Sequence, residues 1–222
     1  MNSTLPIVET FHSLQAEGLH FGISAFFIRL GGCKVGCPWC DTKESWPMKG
    51  HQKESIFNIA QKATEAQSKG ASIIVITGGE PLHHNLTSLC NAINTSTMNQ
   101  NHKNLPIHLE TSGVDDVSGT ISWITLSPKR HAPPQTSVLQ RCDEIKVVIH
   151  KKEDLIFAEH IAKEAIQERK TCSHTGGEVI QPYLFLQPGW ESQEGQKLSI
   201  EYIKGHPEWR LSLQTHKWLG IL

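Results

Sequence analysis

The sequence predicts an α/β fold, in which a parallel sheet with outer helices curves into a partial (β/α) barrel. Short apolar runs alternate with segments of helical periodicity, which is the pattern of a parallel sheet covered by helices. The length of 222 residues suits one barrel-type domain, and a cysteine-rich loop directly follows an apolar run. We therefore expect a single domain over residues 1–222, with its functional loops at the carboxyl ends of the strands.

The predicted strands are short runs rich in Ile, Val, Leu and Phe, as is typical of buried parallel strands. In chain order they are Ser24–Leu30, Ser72–Thr77, Pro106–Glu110, Ile121–Leu126, Asp143–Ile149, Pro182–Leu186 and Trp209–Leu213.

The predicted helices carry apolar residues three and four positions apart. They cover Glu54–Lys69, which ends before Gly70, then Asn85–Asn94 and Lys152–Lys170. Polar stretches predict loops at Asn99–Asn104, His131–Ser137, Thr171–Glu178 and Gln187–Gln196.

Composition narrows the class of function. The formal net charge of -1 gives no broad basic field, so we expect a small substrate and no nucleic-acid partner. The start of the chain, Met1–Phe11, has no basic segment followed by an apolar one, and the longest apolar stretch, Ala25–Leu30, is short. We expect a cytoplasmic protein without a membrane anchor. The scattered Cys90, Cys142 and Cys172 are expected to be small buried hydrophobes.

Three cysteines within eight residues, Cys33, Cys37 and Cys40, form the most informative motif. Thiolates select soft metals, and a closed zinc or 4Fe-4S site normally takes four protein ligands. Three thiolates on the loop 33–40, after a predicted strand, leave one metal position open for chemistry. The alternative is a zinc knuckle completed by a distant ligand, because the chain also has 13 histidines.

A glycine-rich segment, Thr77–Pro81, follows the next predicted strand. Its two glycines, Gly78 and Gly79, let the backbone approach a ligand closely where a side chain would obstruct it. An ordinary strand-to-helix turn is the alternative for such a pair. The two motifs fall at successive strand ends, which is the arrangement a barrel active site requires.

Together these motifs resemble the radical S-adenosylmethionine enzymes. The Cys-x3-Cys-x2-Cys spacing, with Trp39 before the last cysteine, resembles their cluster loop, and Gly-Gly-Glu-Pro resembles the segment that holds the methionine amino group. The resemblance implies the partial barrel of that superfamily and a 4Fe-4S cluster on the three cysteines, whose fourth iron binds S-adenosylmethionine. It also implies cofactor contacts by Gly79, Glu80, Ser127, Pro128 and Lys129.

Further segments resemble one branch of that superfamily, the 7-carboxy-7-deazaguanine synthases of queuosine biosynthesis. The resemblance implies conversion of 6-carboxy-5,6,7,8-tetrahydropterin to 7-carboxy-7-deazaguanine with loss of ammonia. The matching segments are Phe11–Gly18, Phe27–Leu30, Cys40–Thr42, Glu110–Gly113, Ser127–Lys129 and Gln214–Lys217.

The substrate side begins with Arg29, a charged residue in an otherwise apolar strand. Burying an unpaired charge is very costly, so Arg29 must be paired or must line a polar cavity. The resemblance makes it a ligand of the pterin carboxylate, and the alternative is a structural ion pair. The other substrate contacts implied by the resemblance are Leu14, Gln15, Ala16, Glu17, Thr77, Gln214, His216 and Leu222.

The resemblance also implies a second metal and two protein partners. Thr42 matches a position that binds Mg2+ through its hydroxyl, whereas the sequence alone would make Thr42 a helix N-cap. An electron donor such as flavodoxin or ferredoxin and a homodimer are implied as well. The rival interpretations are another radical S-adenosylmethionine enzyme, such as a glycyl-radical activase, an electron carrier, and a zinc-dependent binding module. The last two do not explain the Gly-Gly-Glu-Pro segment.

Overall fold

The computed structural model describes residues 3–101, 103–172 and 180–222. Within them, strands and helices alternate from the second strand onward, except that the fifth and sixth strands follow each other without a helix between them. The strands are β1 (Thr4–Leu14), β2 (Ser24–Leu30), β3 (Gln52–Ser55), β4 (Ile73–Gly78), β5 (Ile107–Thr111), β6 (Trp123–Leu126), β7 (Glu144–Ile149), β8 (Tyr183–Pro188) and β9 (Trp209–Leu211). The helices are α1 (Ile56–Ser68), α2 (Thr87–Asn101), α3 (Thr136–Arg141), α4 (Lys152–Cys172), α5 (Gln193–Gly205) and α6 (Thr215–Leu219), with short 3-10 helices at Lys43–Ser45 and Pro81–His83.

The nine described strands form one sheet in the order β3-β1-β2-β4-β5-β6-β7-β8-β9. Strand β1 is antiparallel to both of its neighbours. Every pair from β2 to β9 is parallel, so the carboxyl ends of seven strands lie along one edge. This mostly parallel sheet with flanking helices confirms the predicted fold class.

The sheet curves, because residues from its two ends bond to each other. The backbone N–H of Gly18, just after β1, donates to Ser212 Oγ just after β9, at 3.1 Å. The hydroxyl of Thr215 donates to the carbonyl of Ala16 at 2.6 Å. The segment 15–19 therefore bridges the open side of the partial barrel.

The alternation of β2 assigns its side chains to the two faces of the sheet. Phe26, Ile28 and Leu30 are buried in the core shared with the helices. Phe27 lies on the opposite, inner face. Because side chains alternate along a strand, Arg29 also lies on the inner face, toward the carboxyl edge. This position is what brings a charge into the mouth of the barrel.

All seven predicted strands are confirmed, with ends within two residues of those in the structure. The helix predicted at Glu54–Lys69 begins later, at Ile56, because the Ser55 side chain caps it by accepting from the Asn58 N–H. The helix predicted at Asn85–Asn94 was too short. It continues to Asn101, where Thr97 returns a hydrogen bond to the Ile93 carbonyl at 2.9 Å, so the polar sequence remains helical.

The four loop predictions were wrong at their ends. The stretch Asn99–Asn104 begins within α2, His131–Ser137 enters α3 at Thr136, and Gln187–Gln196 overlaps both β8 and α5. The stretch Thr171–Glu178 begins with the last two residues of α4, and the rest of it lies outside the described residues. Strands β1 and β3 and helices α3, α5 and α6 were not predicted.

Two of the scattered cysteines are buried, as predicted. Burial raises the pKa of the Cys90 thiol to about 11 and that of Cys142 to about 12, so both stay neutral. The side chain of Cys172 lies outside the described residues. Among the described helices, none combines the length and apolar character needed to cross a bilayer.

Candidate active site

A cavity of about 570 Å³ lies at the carboxyl edge of the parallel strands. It brings together every predicted site residue except Pro128, which lines a separate depression of about 20 Å³ with Trp39 and Lys129. The predicted residues that line the cavity are Leu14, Gln15, Ala16, Glu17, Arg29, Cys33, Cys37, Cys40, Thr42, Thr77, Gly79, Glu80, Ser127, Lys129, Gln214, His216 and Leu222.

Main-chain bonds close the base of the cysteine loop. The Gly32 N–H donates to the Ser45 carbonyl at 2.7 Å, and the Cys33 N–H donates to the Trp46 carbonyl at 3.0 Å. The indole N–H of Trp46 also donates to Cys40 Sγ at 3.2 Å. The loop is therefore held at both ends while its thiols line the cavity.

The three thiols fit a cluster better than a single ion. Burial raises the pKa of Cys33 and Cys37, so a positive metal group is needed to favour their thiolates. Over the described ranges, no three His, Cys, Asp or Glu side chains gather closely enough to hold one metal ion. A 4Fe-4S cluster does not require that, because each of its cysteines binds a different iron.

The two glycines of the second motif are required by the backbone of the cysteine loop. A Cβ on Gly79 would lie 2.5 Å from the Gly32 carbonyl oxygen, and one on Gly78 would lie 2.2 Å from the Leu30 carbonyl oxygen. The Gly79 N–H donates to Leu30 O, and the Glu80 N–H donates to Gly32 O, both at 2.9 Å. Both motifs thus form one packed unit, which neither pattern alone predicted.

The Glu80 carboxylate is buried and already bonded. It accepts from the Leu82 N–H at 3.0 Å, the Thr111 hydroxyl at 2.5 Å, the Ser112 N–H at 2.8 Å and the Ser112 hydroxyl. Four donors use the acceptor sites of a carboxylate. Glu80 can therefore contact a cofactor only through its backbone. Its side chain connects the Gly-Gly turn to the end of β5.

Lys129 and Ser127 lie across the cavity from this turn, after β6. Lys129 Nζ donates to Ser127 Oγ at 2.7 Å. Burial lowers the pKa of Lys129, and the nearby Cys37 opposes that change. The pair places one cation beside the cysteine loop, as a site for an anionic cofactor group requires.

Arg29 forms the ion pair that the sequence left open as an alternative. Its Nε donates to Glu9 Oε1 at 2.7 Å, and its guanidinium lies 5.8 Å from the Phe11 ring centroid. The same side chain lines the cavity. Among the described residues, no hydrogen bond occupies the two terminal nitrogens, so the fork remains available to a carboxylate.

A buried charge network lies below Arg29. The Glu110 carboxylate accepts from Gln15 Nε2 and from the Thr77 hydroxyl, each at 3.1 Å. Lys146 Nζ donates to Glu17, and His216 Nδ1 lies 3.9 Å from the same carboxylate. These contacts connect four of the predicted substrate residues.

Lys146 neutralises this network. Burial alone would lower the pKa of Lys146, but the carboxylates of Glu17, Glu110 and Glu144 outweigh it and raise that pKa. Burial would raise the pKa of Glu110, whereas Lys146 and the hydrogen bond from Gln15 lower it. The inner wall therefore favours the ionised form of Glu110 beside the Lys146 cation.

Comparisons with known proteins agree with this geometry. The sequence model of the Radical SAM superfamily matches residues 27–121. The chain is 64% identical to 7-carboxy-7-deazaguanine synthase of Prochlorococcus marinus, over 100% of both chains. It is 44% identical to the Synechocystis sp. enzyme of the same name, over 97% of this chain and 93% of that one.

The chain belongs to the 7-carboxy-7-deazaguanine synthase family. It also matches the crystal structure of QueE from Escherichia coli, with a TM-score of 0.75, 30% identity, and coverage of 96% of this chain and 95% of that one. The chain is thus a radical S-adenosylmethionine enzyme, and its superfamily works with a 4Fe-4S cluster and S-adenosylmethionine. Membership decides against the electron carrier and the zinc module.

In this synthase-family chain, the C-terminal segment closes over the cysteine loop. Gln214 Nε2 and Lys217 Nζ both donate to Asp41 Oδ2, at 3.1 and 2.8 Å. Burial would raise the pKa of Asp41, but the hydrogen bond and charge of Lys217 lower it. Lys217 also lies 5.0 Å from the Trp190 ring centroid. These contacts fix Gln214 and Lys217 beside the end of the cysteine loop.

Thr42 lies at the start of the 3-10 helix Lys43–Ser45, but its side chain makes no cap hydrogen bond. Its hydroxyl is 3.7 Å from Cys40 Sγ and lines the cavity. The position is therefore that of an N-cap, as the sequence suggested, whereas the hydroxyl remains available to a ligand.

Sequence reasoning missed several residues that line the same cavity. Lys146 had a usable signal, because it is a charge inside an apolar strand, which is the argument that found Arg29. The segment Glu110–Gly113 was matched to the family, but the sequence analysis assigned no role to Glu110. Asp41 and Lys217 lie in the matched segments Cys40–Thr42 and Gln214–Lys217, but neither was predicted as a site residue. No local signal marked His150, Gln187, Gly189 or Trp190.

Proposed function

We propose that this protein converts 6-carboxy-5,6,7,8-tetrahydropterin to 7-carboxy-7-deazaguanine, with loss of ammonia, in queuosine biosynthesis. The observation that carries the proposal is the cavity itself. Its lining combines three cysteine thiols with the Arg29 guanidinium and with a network of carboxylate and amide groups. A carboxylated, amide-rich heterocycle offers the complementary groups. The names of the relatives supply the specific reaction.

On the cofactor side, we assign Cys33, Cys37 and Cys40 to three irons of the cluster. When bound, the reduced cluster and S-adenosylmethionine supply one-electron chemistry that can break a carbon–hydrogen bond. Gly79 and Glu80 present backbone groups beside the loop, and Lys129 with Ser127 offers a cation and a hydroxyl. Pro128 between them shapes the backbone, since it lines a different depression.

On the substrate side, the role of the chain is to orient one ring and exclude water. Arg29 binds the carboxylate through its terminal nitrogens. Gln15 and Glu17 bond to the pyrimidinone edge, with the backbone of Leu14 and Ala16 beside them. Thr77, Gln214, His216 and Leu222 complete the site. Lys146 orients Glu17, because a bonded carboxylate has one preferred orientation.

Mg2+ is assigned to Thr42, whose hydroxyl lines the cavity without making a cap hydrogen bond, with substrate oxygens as the other ligands. We further propose one domain over residues 1–222, a homodimer, a cytoplasmic location, and flavodoxin or ferredoxin as the electron donor. The homodimer and the electron donor derive from the family resemblance, whereas the single domain and the cytoplasmic location derive from the length and the composition of the sequence.

The test is anaerobic incubation of the reconstituted protein with S-adenosylmethionine, Mg2+, a reductant and 6-carboxy-5,6,7,8-tetrahydropterin. Mass spectrometry is expected to detect 7-carboxy-7-deazaguanine and ammonia, formed over several turnovers. Formation of 5'-deoxyadenosine without any deazapurine would reject this substrate and favour another radical S-adenosylmethionine reaction. A Cys37→Ser control is expected to form neither product.

A further inference from the structure

Two adjacent histidines that no motif explains, His83 and His84, contact the cysteine loop. They follow the Gly-Gly-Glu-Pro turn, at the end of the 3-10 helix Pro81–His83. The backbone N–H of Lys34 donates to His83 Nε2 at 3.1 Å, and His84 Nε2 bonds to the carbonyl of Gly31 at 2.8 Å. The two rings therefore hold the main chain on both sides of Cys33.

The chemistry of these bonds fixes the tautomer of each ring. Because the Lys34 N–H is a donor, His83 Nε2 must accept, so the ring proton is on Nδ1. That nitrogen lies 2.6 Å from Asp115 Oδ2 and donates to it. Because a carbonyl can only accept, His84 must carry its proton on Nε2. The hydrogen bond to Asp115 therefore favours the His83 tautomer whose Nε2 accepts from the Lys34 N–H.

The loop needs such supports because its backbone is irregular. Buried main-chain groups outside strands must find other partners, and an unpaired one is costly. Gly31 and Gly32 are buried, and a Cβ on Gly32 would lie 3.5 Å from His84 Nε2. A third histidine, His131, bonds to the Val35 carbonyl at 3.0 Å, but it is exposed and water competes with it.

We propose that His83 and His84 are positioning residues of the cluster, which hold Cys33 in the conformation that takes and retains iron. Neither histidine lines the cavity, and both act through the loop backbone. The inference rests on the proposed cluster-binding role of the three cysteines and goes beyond it. Partners of metal ligands that orient them typically change metal affinity by about 10–100-fold when removed.

The experiment measures how fast the anaerobically reconstituted full-length protein loses iron to an excess of a chelator, followed by the decay of its visible absorption. His83→Leu and His84→Leu are expected to lose iron about 10-fold faster or more than the wild type. His83→Gln and His84→Gln keep an acceptor and a donor near the original Nε2 positions. Both are expected to stay within about 3-fold of the wild type. This rescue is what a purely structural role would not produce.

Two controls keep the test decisive. Asp115 is half-exposed, and Asp115→Ala removes the hydrogen bond that favours one tautomer of His83. We expect this variant to lose iron about 3-fold faster without a change in melting temperature. His160→Leu, on the exposed face of α4, is expected to match the wild type. Leucine variants that retain iron as well as His160→Leu would overturn the proposal. So would leucine and glutamine variants that lose iron equally fast.

The substrate is absent from this experiment, so its outcome is independent of the proposed reaction. Normal iron retention in the leucine variants, with deazapurine formed by the wild type, would reject only the positioning role. The expected iron loss, with no deazapurine from the wild type, would reject only the substrate.

Discussion

Replacing Lys146 with methionine is expected to destabilise the protein by about 3–5 kcal/mol, the usual effect of breaking a buried ion pair. The Lys146 side chain is 6% exposed and that of Glu17 is 15% exposed, so little solvent screens the loss. Glu110 loses the same cation, which is the charge that most lowers its pKa. The variant must therefore keep uncompensated carboxylates in the barrel or protonate them.

The assay is thermal unfolding of the reconstituted protein at fixed concentration. For a chain of this size, about 3–5 kcal/mol corresponds to a fall of about 6–20 °C in melting temperature. The matched control is Lys163→Met on α4, where Nζ is 3.5 Å from Glu159 and the lysine side chain is 77% exposed. Exposed pairs contribute at most about 1 kcal/mol, so the control is expected to shift by less than about 4 °C.

The pH dependence of the variant's folding stability tests the same prediction in a second way. Without Lys146, the effect of burial on Glu110 is no longer offset by this cation, so its pKa is expected to rise above its value in the unfolded chain. The folded variant then binds more protons than the unfolded one, and its stability falls as pH rises. The deficit relative to the wild type should be largest near pH 8 and shrink toward pH 5. A Lys146→Met melting curve that matches Lys163→Met, or a deficit that grows in acid, would refute the reasoning.

Three further predictions concern Arg29, Gly79 and His108. Arg29→Ala is expected to keep the cluster and weaken pterin binding by about 2–5 kcal/mol in an equilibrium binding assay, because a charged partner of the carboxylate is removed. Gly79→Ala is expected to cost about 1–3 kcal/mol in thermal unfolding, since its Cβ would lie 2.5 Å from the backbone oxygen of Gly32. Burial lowers the pKa of His108 from 6.5 to about 4, so the unfolded chain binds the proton first. Stability should therefore fall as pH drops from about 6.5 to 4, by up to about 3 kcal/mol, and His108→Asn should remove that part of the pH dependence.

Each of the three has an outcome that contradicts it. Glu9→Gln breaks the same ion pair as Arg29→Ala, so equal losses of pterin affinity in both variants would leave Arg29 with a structural role alone. The control for Gly79→Ala is Gly205→Ala, where an added Cβ meets no atom within 4 Å, and equal melting temperatures would remove the packing argument. An acid profile unchanged by His108→Asn would assign that pH dependence to other groups.

Local patterns predicted the parallel half of the fold well. Strands such as β2 and β4 are buried on both faces, so they form apolar runs with sharp ends. Strand β1 escaped prediction for the opposite reason. It is antiparallel and mostly half-buried, it contains Pro6, and its pairing with β2 shifts register between Ile7 and Glu9. Its alternation is therefore broken where a pattern would be sought.

The candidate site was predictable where chemistry is local in sequence. The cysteine spacing and the Gly-Gly turn each indicate the end of a strand, and Arg29 is recognisable as a charge in an otherwise apolar strand. The partners of these residues come from distant segments. The Glu80 carboxylate bonds to Thr111 and Ser112, and no spacing rule relates those positions. Tertiary contacts of this kind need the folded chain.

The most direct test of the account is an anaerobic crystal structure of the reconstituted protein with S-adenosylmethionine and 6-carboxy-5,6,7,8-tetrahydropterin. The account predicts a cluster on Cys33, Cys37 and Cys40, with the substrate carboxylate within hydrogen-bond distance of the Arg29 terminal nitrogens and the pyrimidinone edge at Glu17. Substrate bound outside this cavity, or with its carboxylate directed away from Arg29, would contradict it.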